Sequence, residues 1–236
     1  MAQTSISIVI PTYEEALSLP VTLKSLSQQA LPFEVFVADG GSSDGTLEVA
    51  QQLTSVLPFS LQAGISPERG RAAQMNWGAA QTRAEILLFL HADTHLPQRA
   101  LERLRGALRD PGVVGGRFAL ALDAQDWPYP LIAWSSNWRT RLTGICTGDM
   151  AIFVRRSVFE QLGGYPQQPL MEDLELSRRL RKLGRLTWLD LPVVTSARRW
   201  QQYGPWRTIA LMQTLRYAYW VGVEPEQLAR WYRQVR

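Results

Sequence analysis

Three short β-rich runs constrain the fold more than any other feature of this chain: SISIVI at 5–10, FEVFVAD at 33–39 and ILLFL at 86–90. Each is shorter than a typical helix, is rich in β-branched or aromatic residues, and stops at a polar turn. The stretches between them have helical spacing. Residues 14–29 carry Leu19, Leu23 and Leu26 on one face, with Pro20 expected in the first turn, where a missing N–H leaves no hydrogen bond unmade. TLEVAQQL (46–53), the Ala-rich AAQMNWGAAQTR (72–83) and RALERLRGALR (99–109) continue the alternation. Strands alternating with helices through short turns predict an α/β fold with a mainly parallel sheet flanked by helices.

Beyond residue 112 the pattern changes. VVGGRFALAL (113–122) is compatible with a strand that turns back, and CTGDMAIFVRR (146–156) with a further strand. EDLELSRRLRKLG (172–184) reads as a helix stopped by Gly184. The aromatic stretch 126–141, DWPYPLIAWSSNWRTR, fits no single pattern, and the segment from Trp200 onward reads as an aromatic helical tail. No internal repeat or flexible linker interrupts the 236 residues.

Polar residues gather where these strands end. Tyr13, Glu14 and Glu15 follow the first strand, Asp39 closes the second, and His91 and Asp93 close ILLFL. Ligands of open α/β sheets bind at that edge. In ADGGSSDGT (38–46) a strand, a polar turn and a helix start follow one another, an arrangement whose backbone N–H groups can meet an anion. Asp44 there reads as a helix cap, whereas Asp39 sits too early to cap and reads as a ligand-binding residue. Arg69 and Arg71 precede an Ala-rich helix in which Gln74 and Asn76 need polar partners. In the 172–184 helix, Asp173 shares a face with Leu176 and Leu180, which turns it inward and leaves Glu175 and Arg178 pointing elsewhere. A carboxylate on an apolar stripe needs a partner or a task, and general-base catalysis is such a task.

Composition narrows the chemistry. The single cysteine, Cys146, excludes an internal disulfide and a Cys-cluster metal site, and two histidines argue against a His-rich zinc centre. Any metal would take mainly oxygen ligands, which points to Mg2+ or Mn2+. The net charge of +4 is almost all arginine, Lys occurring only at Lys24 and Lys182. Arginine is suited to bidentate contact with phosphate or carboxylate. The start MAQTSISIVIPTY lacks a basic leader, and no apolar run reaches membrane-spanning length, so a cytoplasmic location is expected.

Taken in order, these segments resemble the family 2 glycosyltransferases, inverting enzymes of GT-A-type fold, from residue 5 to about 200. PTYEE (11–15) resembles the opening nucleotide-binding motif and ADGGSSDGT the second, with Ala38 in place of its first aspartate. RGRAAQMN (69–76) is similar to the nucleotide-contacting region, and His91-Ala92-Asp93 to the D-x-D metal motif, with His91 replacing the first acid. TGDMAIFVRRSVFEQLGGYP (147–166) resembles the acceptor-side segment, MEDLELSRRLRKLG (171–184) the helix bearing the catalytic base, and Arg198-Arg199-Trp200 the end of a further motif. Short soluble members associated with arsenosugar biosynthesis in some bacteria are similar.

The resemblance implies one catalytic domain over 1–200, with a nucleotide-sugar half (1–112) and an acceptor and base half (113–200), followed by a helical extension over 201–236. It implies Asp173 as catalytic base, Asp93 with His91 as metal ligands, and a nucleoside-diphosphate sugar held by Pro11, Tyr13, Glu15, Asp39, Arg69, Gln74, Asn76, Asp149 and Arg199. The acceptor is left as a small molecule or a lipid-linked one, and nucleic acid is not among the expected partners. WPYPLIAWSSNW (127–138) reads either as a loop that stacks on a sugar or as a patch on the inner face of a membrane. A non-catalytic nucleotide-sugar-binding protein is the rival reading, because His91 breaks the metal motif.

Overall fold

The structure, a computed structural model, describes residues 5–234; the last two residues of the expected helical extension lie outside the described residues. Four strands form the first half: β1 (Ile6–Thr12), β2 (Glu34–Asp39), β3 (Ser60–Ile65) and β4 (Ile86–Phe89). Between them run α1 (Leu19–Leu26), α2 (Thr46–Leu53) and α3 (Arg71–Ala80). Pro20 falls in the first turn of α1 as expected, and the residues before it form a loop in which Glu14 takes a left-handed backbone. These four strands are parallel, in the order β3-β2-β1-β4. The chain moves outward one way from β1 through β2 to β3, then returns to the other flank of β1 with β4. That reversal opens a crevice above the carboxyl ends of β1 and β4.

The second half extends the same sheet with β5 (Thr94–His95), α4 (Ala100–Ala107), β6 (Val113–Leu122), β7 (Phe153–Arg155) and β8 (Arg185–Thr195). The complete order is β3-β2-β1-β4-β7-β6-β8-β5. VVGGRFALAL does not turn back: β6 runs antiparallel to β7, which is itself antiparallel to β4, so β6 points the same way as the first four strands. The reversed strands are the short β7 and β5. The strand expected over 146–156 shrinks to three residues, because Gly148–Met150 form a 3-10 turn and Arg156 already opens α6 (Arg156–Gln161).

The irregular aromatic stretch is a helix, α5 (Tyr129–Thr143), packed on β6. Its buried side is Ile132, Ala133 and Thr140, joined by Asn137, whose side chain accepts from the Leu120 N–H at 2.8 Å and donates to the Leu120 carbonyl at 2.9 Å. Asn137 thereby supplies to β6 the pairing that β7 is too short to give. After α7 (Glu172–Leu183), Gly184 passes Val114 so closely that a Cβ would lie 2.3 Å from Val114 Cγ1. Its backbone is extended, so the glycine is there for closeness of approach and not for a left-handed cap. The tail is α8 (Arg198–Tyr203), α9 (Pro205–Trp220) and α10 (Pro225–Gln234).

The main core lies between the sheet and α1, α2 and α4, with Ile6, Ile8, Leu23, Leu88, Leu101 and Phe153 almost wholly buried. Side chains of this size contribute about 1.5–3 kcal/mol each on burial. A second cluster on the opposite face joins α3, α6 and α7 through Met75, Phe89, Phe159, Tyr165 and Leu176. A third seats α9 and α10 on the start of α7, through Met171, Leu174, Leu215, Ala218 and Leu228. No helix among the described residues is long and apolar enough to cross a membrane.

Candidate active site

The crevice is lined by the loops after β1, β2 and β4, by the Gly144–Asp149 segment and by the first turn of α7. Met171 opens α7 in a left-handed conformation and sets Glu172 and Asp173 side by side in its first turn. Glu172 is buried and pairs with Arg71 of α3 at 3.2 Å. Asp173 has no cation in direct contact among the described residues. Its Oδ2 accepts the Gly148 N–H at 2.7 Å and its Oδ1 the Leu174 N–H at 2.8 Å. Burial, then the neighbouring Glu172 charge, pushes its pKa up to about 7 against the pull of these two N–H groups and of Arg71. A carboxylate of that proton affinity can accept a proton at neutral pH.

His91 approaches the same point from β4. A Cβ placed on Gly148 would lie 2.8 Å from His91 Nε2 and 3.7 Å from Asp173 Oδ2, so a side chain at 148 would collide with the imidazole. Nε2 of His91 is buried without a partner. Burial, together with the charges of Arg71 and Arg199, pushes the imidazole pKa well below its ordinary value, which keeps it neutral. Asp93 lies on the other side, with Oδ2 at 3.3 Å from Arg198, and Arg198 also pairs with Glu15. Burial raises the Asp93 pKa despite Arg198. Asp93 and Glu15 therefore share one arginine, and Glu15 keeps one buried oxygen, Oε2, without a partner.

The residues expected to hold a nucleotide divide into two groups. Tyr13 is partly exposed and lies under the Arg69 guanidinium, 3.6 Å from ring centroid to Cζ, an exposed flat surface beside the crevice. Pro11 stays within β1, opposite Ala38. The other group has its polar atoms engaged within the framework. Both amide atoms of Asn76 are taken by the backbone of Tyr165, at 2.9 and 2.8 Å. Gln74 is buried and its Nε2 donates to the carbonyls of Thr12 and Ala38, tying the ends of β1 and β2. Asp39 is 1% exposed and accepts from Thr12, Gly41 and Ser42, four hydrogen bonds that shape the turn. Asp44 accepts the Thr46 N–H and the Ala16 N–H, but the cap position of α2 is Gly45, in a left-handed conformation and without a side-chain cap bond, which corrects the reading of Asp44 as the cap. Glu175 is corrected as well: it is buried, held by Arg178 and Arg179, and accepts a bond from Tyr219 of α9.

Two arginines of the site, Arg139 and Arg216, went unassigned in the sequence, and Arg71, read there within the 69–76 nucleotide-contacting region, has an acidic partner that was not foreseen. Arg71 reaches Glu172 from α3. Arg139 of α5 has buried Nε and Nη2 atoms without partners, and its charge acts on Asp149 and Asp173. Arg216 of α9 has its pKa lowered to about 10 by burial and by Arg139. Asp149 contributes a buried Oδ1 without a partner. The 139 and 216 positions lie on helices whose aromatic residues mask any polar pattern, so spacing carried no signal. Arg199 lies close enough to His91 and Asp93 to act on both electrostatically.

The comparisons with known proteins agree with this fold. The model of glycosyl transferase family 2 matches residues 7–163, and the chain belongs to that family. It is 30% identical over 177 residues to glycosyltransferase AglE of Haloferax volcanii, covering 68% of this chain and 56% of that protein. It is 37% identical over 178 residues to a PGL/p-HBAD biosynthesis glycosyltransferase of Mycobacterium bovis, covering 70% of this chain and 64% of that one. This chain thus spans little more than half the length of AglE. Among solved structures, mannosyltransferase PcManGT of Pyrobaculum calidifontis, in complex with GDP-Man and Mn2+, superposes with a TM-score of 0.72 at 21% identity, over 99% of this chain and 70% of that one. S. aureus TarS 1-349 with UDP-GlcNAc gives 0.66 at 18%, over 81% and 58%. The fold is the expected GT-A-type arrangement, a mixed sheet of eight strands flanked by helices.

Proposed function

We propose that this chain transfers a sugar from a nucleoside-diphosphate sugar to an acceptor hydroxyl, with inversion at the anomeric carbon and Asp173 as general base. The observation that carries the reading is the Asp173 carboxylate, fixed by two backbone N–H groups and poised near pH 7 at the mouth of the crevice. Asp173 takes the proton of the acceptor hydroxyl as its oxygen bonds to the anomeric carbon, and the nucleoside diphosphate leaves from the opposite face. Pro11, Tyr13, Glu15, Arg69 and the turn that Asp39 shapes form the nucleotide side, and Asp149 faces the sugar. Arg199 and Arg198 meet the negative charge that develops on the leaving diphosphate.

Metal use belongs to the same proposal. The described residues contain no group of three side chains able to hold an ion, so one would rest on Asp93, with His91 or Glu15 beside it, and take its other ligands from diphosphate and water. When bound, Mg2+ or Mn2+ neutralises the leaving diphosphate. The bound GDP-Man and Mn2+ of PcManGT and the UDP-GlcNAc of TarS support a sugar-nucleotide donor.

The test is hydrolysis of a panel of UDP- and GDP-sugars, with and without manganese, by the wild-type chain, Asp93→Ala and Asp173→Asn. Turnover of one donor that both variants lose supports the assignment. Donor binding without turnover, even with candidate acceptors present, would instead make the chain a nucleotide-sugar-binding protein.

A further inference from the structure

The outer face of α5 carries Leu131, Trp134, Trp138 and Leu142, at intervals of three and four residues, opposite the side that packs on β6. Trp134, Trp138 and Leu142 are 61%, 54% and 65% exposed. The two indoles stack on each other, centroids 6.3 Å apart and planes 16° from parallel. At the start of the helix, exposed Trp127 meets exposed Trp206 of α9, at 6.4 Å, so the surface continues onto the tail. A helix this apolar on its outer side is costly in water, and isolated exposed residues do not line up this way.

The charge around this face is mainly positive, although Asp126 directly precedes Trp127. Residues 127–148 and 198–223 contain no aspartate or glutamate, while arginines recur through both. At the C-terminal end of the stripe, Arg141 and Leu142 also line a cavity of about 260 Å³ together with Arg117, Arg181, Arg185 and Trp188. Arg141 and Arg185 are partly offset by Asp190 and Asp110. Arg117 is 2% exposed and its Nε is buried without a partner. Indoles beside a basic cavity match the boundary of a bilayer, where an amphipathic ring has one apolar and one wet side and anionic headgroups lie alongside.

We infer that the outer face of α5, continued by Trp127 and Trp206, docks on an anionic membrane surface, with the arginine-lined cavity receiving a headgroup phosphate. The inference does not depend on the glycosyl-transfer proposal: the indoles and Leu142 lie on the outer face of α5, although the cavity shares Gly144 and Cys146 with the segment that lines the crevice.

Co-sedimentation of the full chain with vesicles tests it, using phosphatidylcholine alone against phosphatidylcholine with phosphatidylglycerol. Binding to the anionic vesicles alone is expected, weakening as salt is raised. Trp134→Ser/Trp138→Ser/Leu142→Ser and Arg181→Ala/Arg185→Ala should each lower the partition coefficient on the order of tenfold, with unchanged circular dichroism and melting temperature. The inference is overturned by absence of binding to anionic vesicles, or by equal binding of the serine variant. It is overturned equally if the chain dimerises in solution through these indoles and leaves the vesicles unbound, or if millimolar inorganic phosphate binds the cavity while vesicles do not.

Discussion

Glu172 and Asp173 stand side by side at the start of α7, and among the described residues only Glu172 of the two is ion-paired, to Arg71 at 3.2 Å. The unpaired carboxylate is the one whose proton affinity rises, to about 7. Replacing Glu172 by Gln removes a raising charge and releases Arg71 to act on Asp173, so both changes lower the Asp173 pKa. The acid limb of kcat/KM against pH is expected to rise through about 7 in the wild type and to move to lower pH in Glu172→Gln. A limb that stays in place would mean that another group titrates there.

The same shift has a cost in stability. Below the ordinary aspartate range both folded and unfolded chains carry the proton, and the difference is nil. As pH rises from there through about 7, the unfolded chain ionises freely while the folded one resists, so folding weakens. Asp173→Asn should lose on the order of 10²–10⁴ in kcat yet be more stable than the wild type at pH 8, by about 1–3 kcal/mol. The gain should vanish near pH 4, as chemical denaturation at both pH values will report.

Gly148→Ala puts a methyl 2.8 Å from His91 Nε2 and disturbs the N–H that holds Asp173. Loss of about 10²-fold in kcat is expected, with little change in KM for the donor, because the misplacement falls on the base. A fall in donor affinity with kcat retained would assign Gly148 to the donor instead.

Asn76→Ala separates framework from ligand contact. Two hydrogen bonds to Tyr165 are lost and its backbone is left unpaired, a cost of about 2–4 kcal/mol. Thermal unfolding should show it, while donor KM at a permissive temperature stays within about twofold. A selective rise in KM would restore Asn76 to the ligand.

Glu175 makes the region acid-sensitive. Arg178, then Arg179, holds its pKa down to about 2 against the cost of burial. The stability it contributes is present above the ordinary glutamate range and is lost as pH falls from about 4.5 towards 2. Glu175→Gln should lower stability at pH 7 by about 1–3 kcal/mol and flatten its decline in acid, measured by denaturant unfolding across that range.

The first half of the fold was legible because short buried parallel strands and polar turns leave local marks. TLEVAQQL became α2 residue for residue, and the polar residues after ILLFL lie at the crevice. β3 escaped because SLQAGI is half exposed and carries no apolar run. α5 escaped because its outward face is as apolar as its inward one, which erases the helical period. Within the site, the apolar stripe drew notice to Asp173, which is half-buried, but not to its neighbours Glu172 and Glu175, which are the more deeply buried acids. Gln74, Asn76 and Asp39 mark where sequence leaves the partner open: a polar residue at a ligand edge looks the same whether it faces a ligand or a neighbouring carbonyl or N–H.

The packing of Leu215, Ala218 and Leu228 on Met171 and Leu174 bears on how the molecule is made. A chain emerging from the ribosome presents β1 to β4 long before α9 and α10. The nucleotide side of the crevice can therefore close early, whereas the turn that holds Asp173 gains its cover only when the last helices arrive.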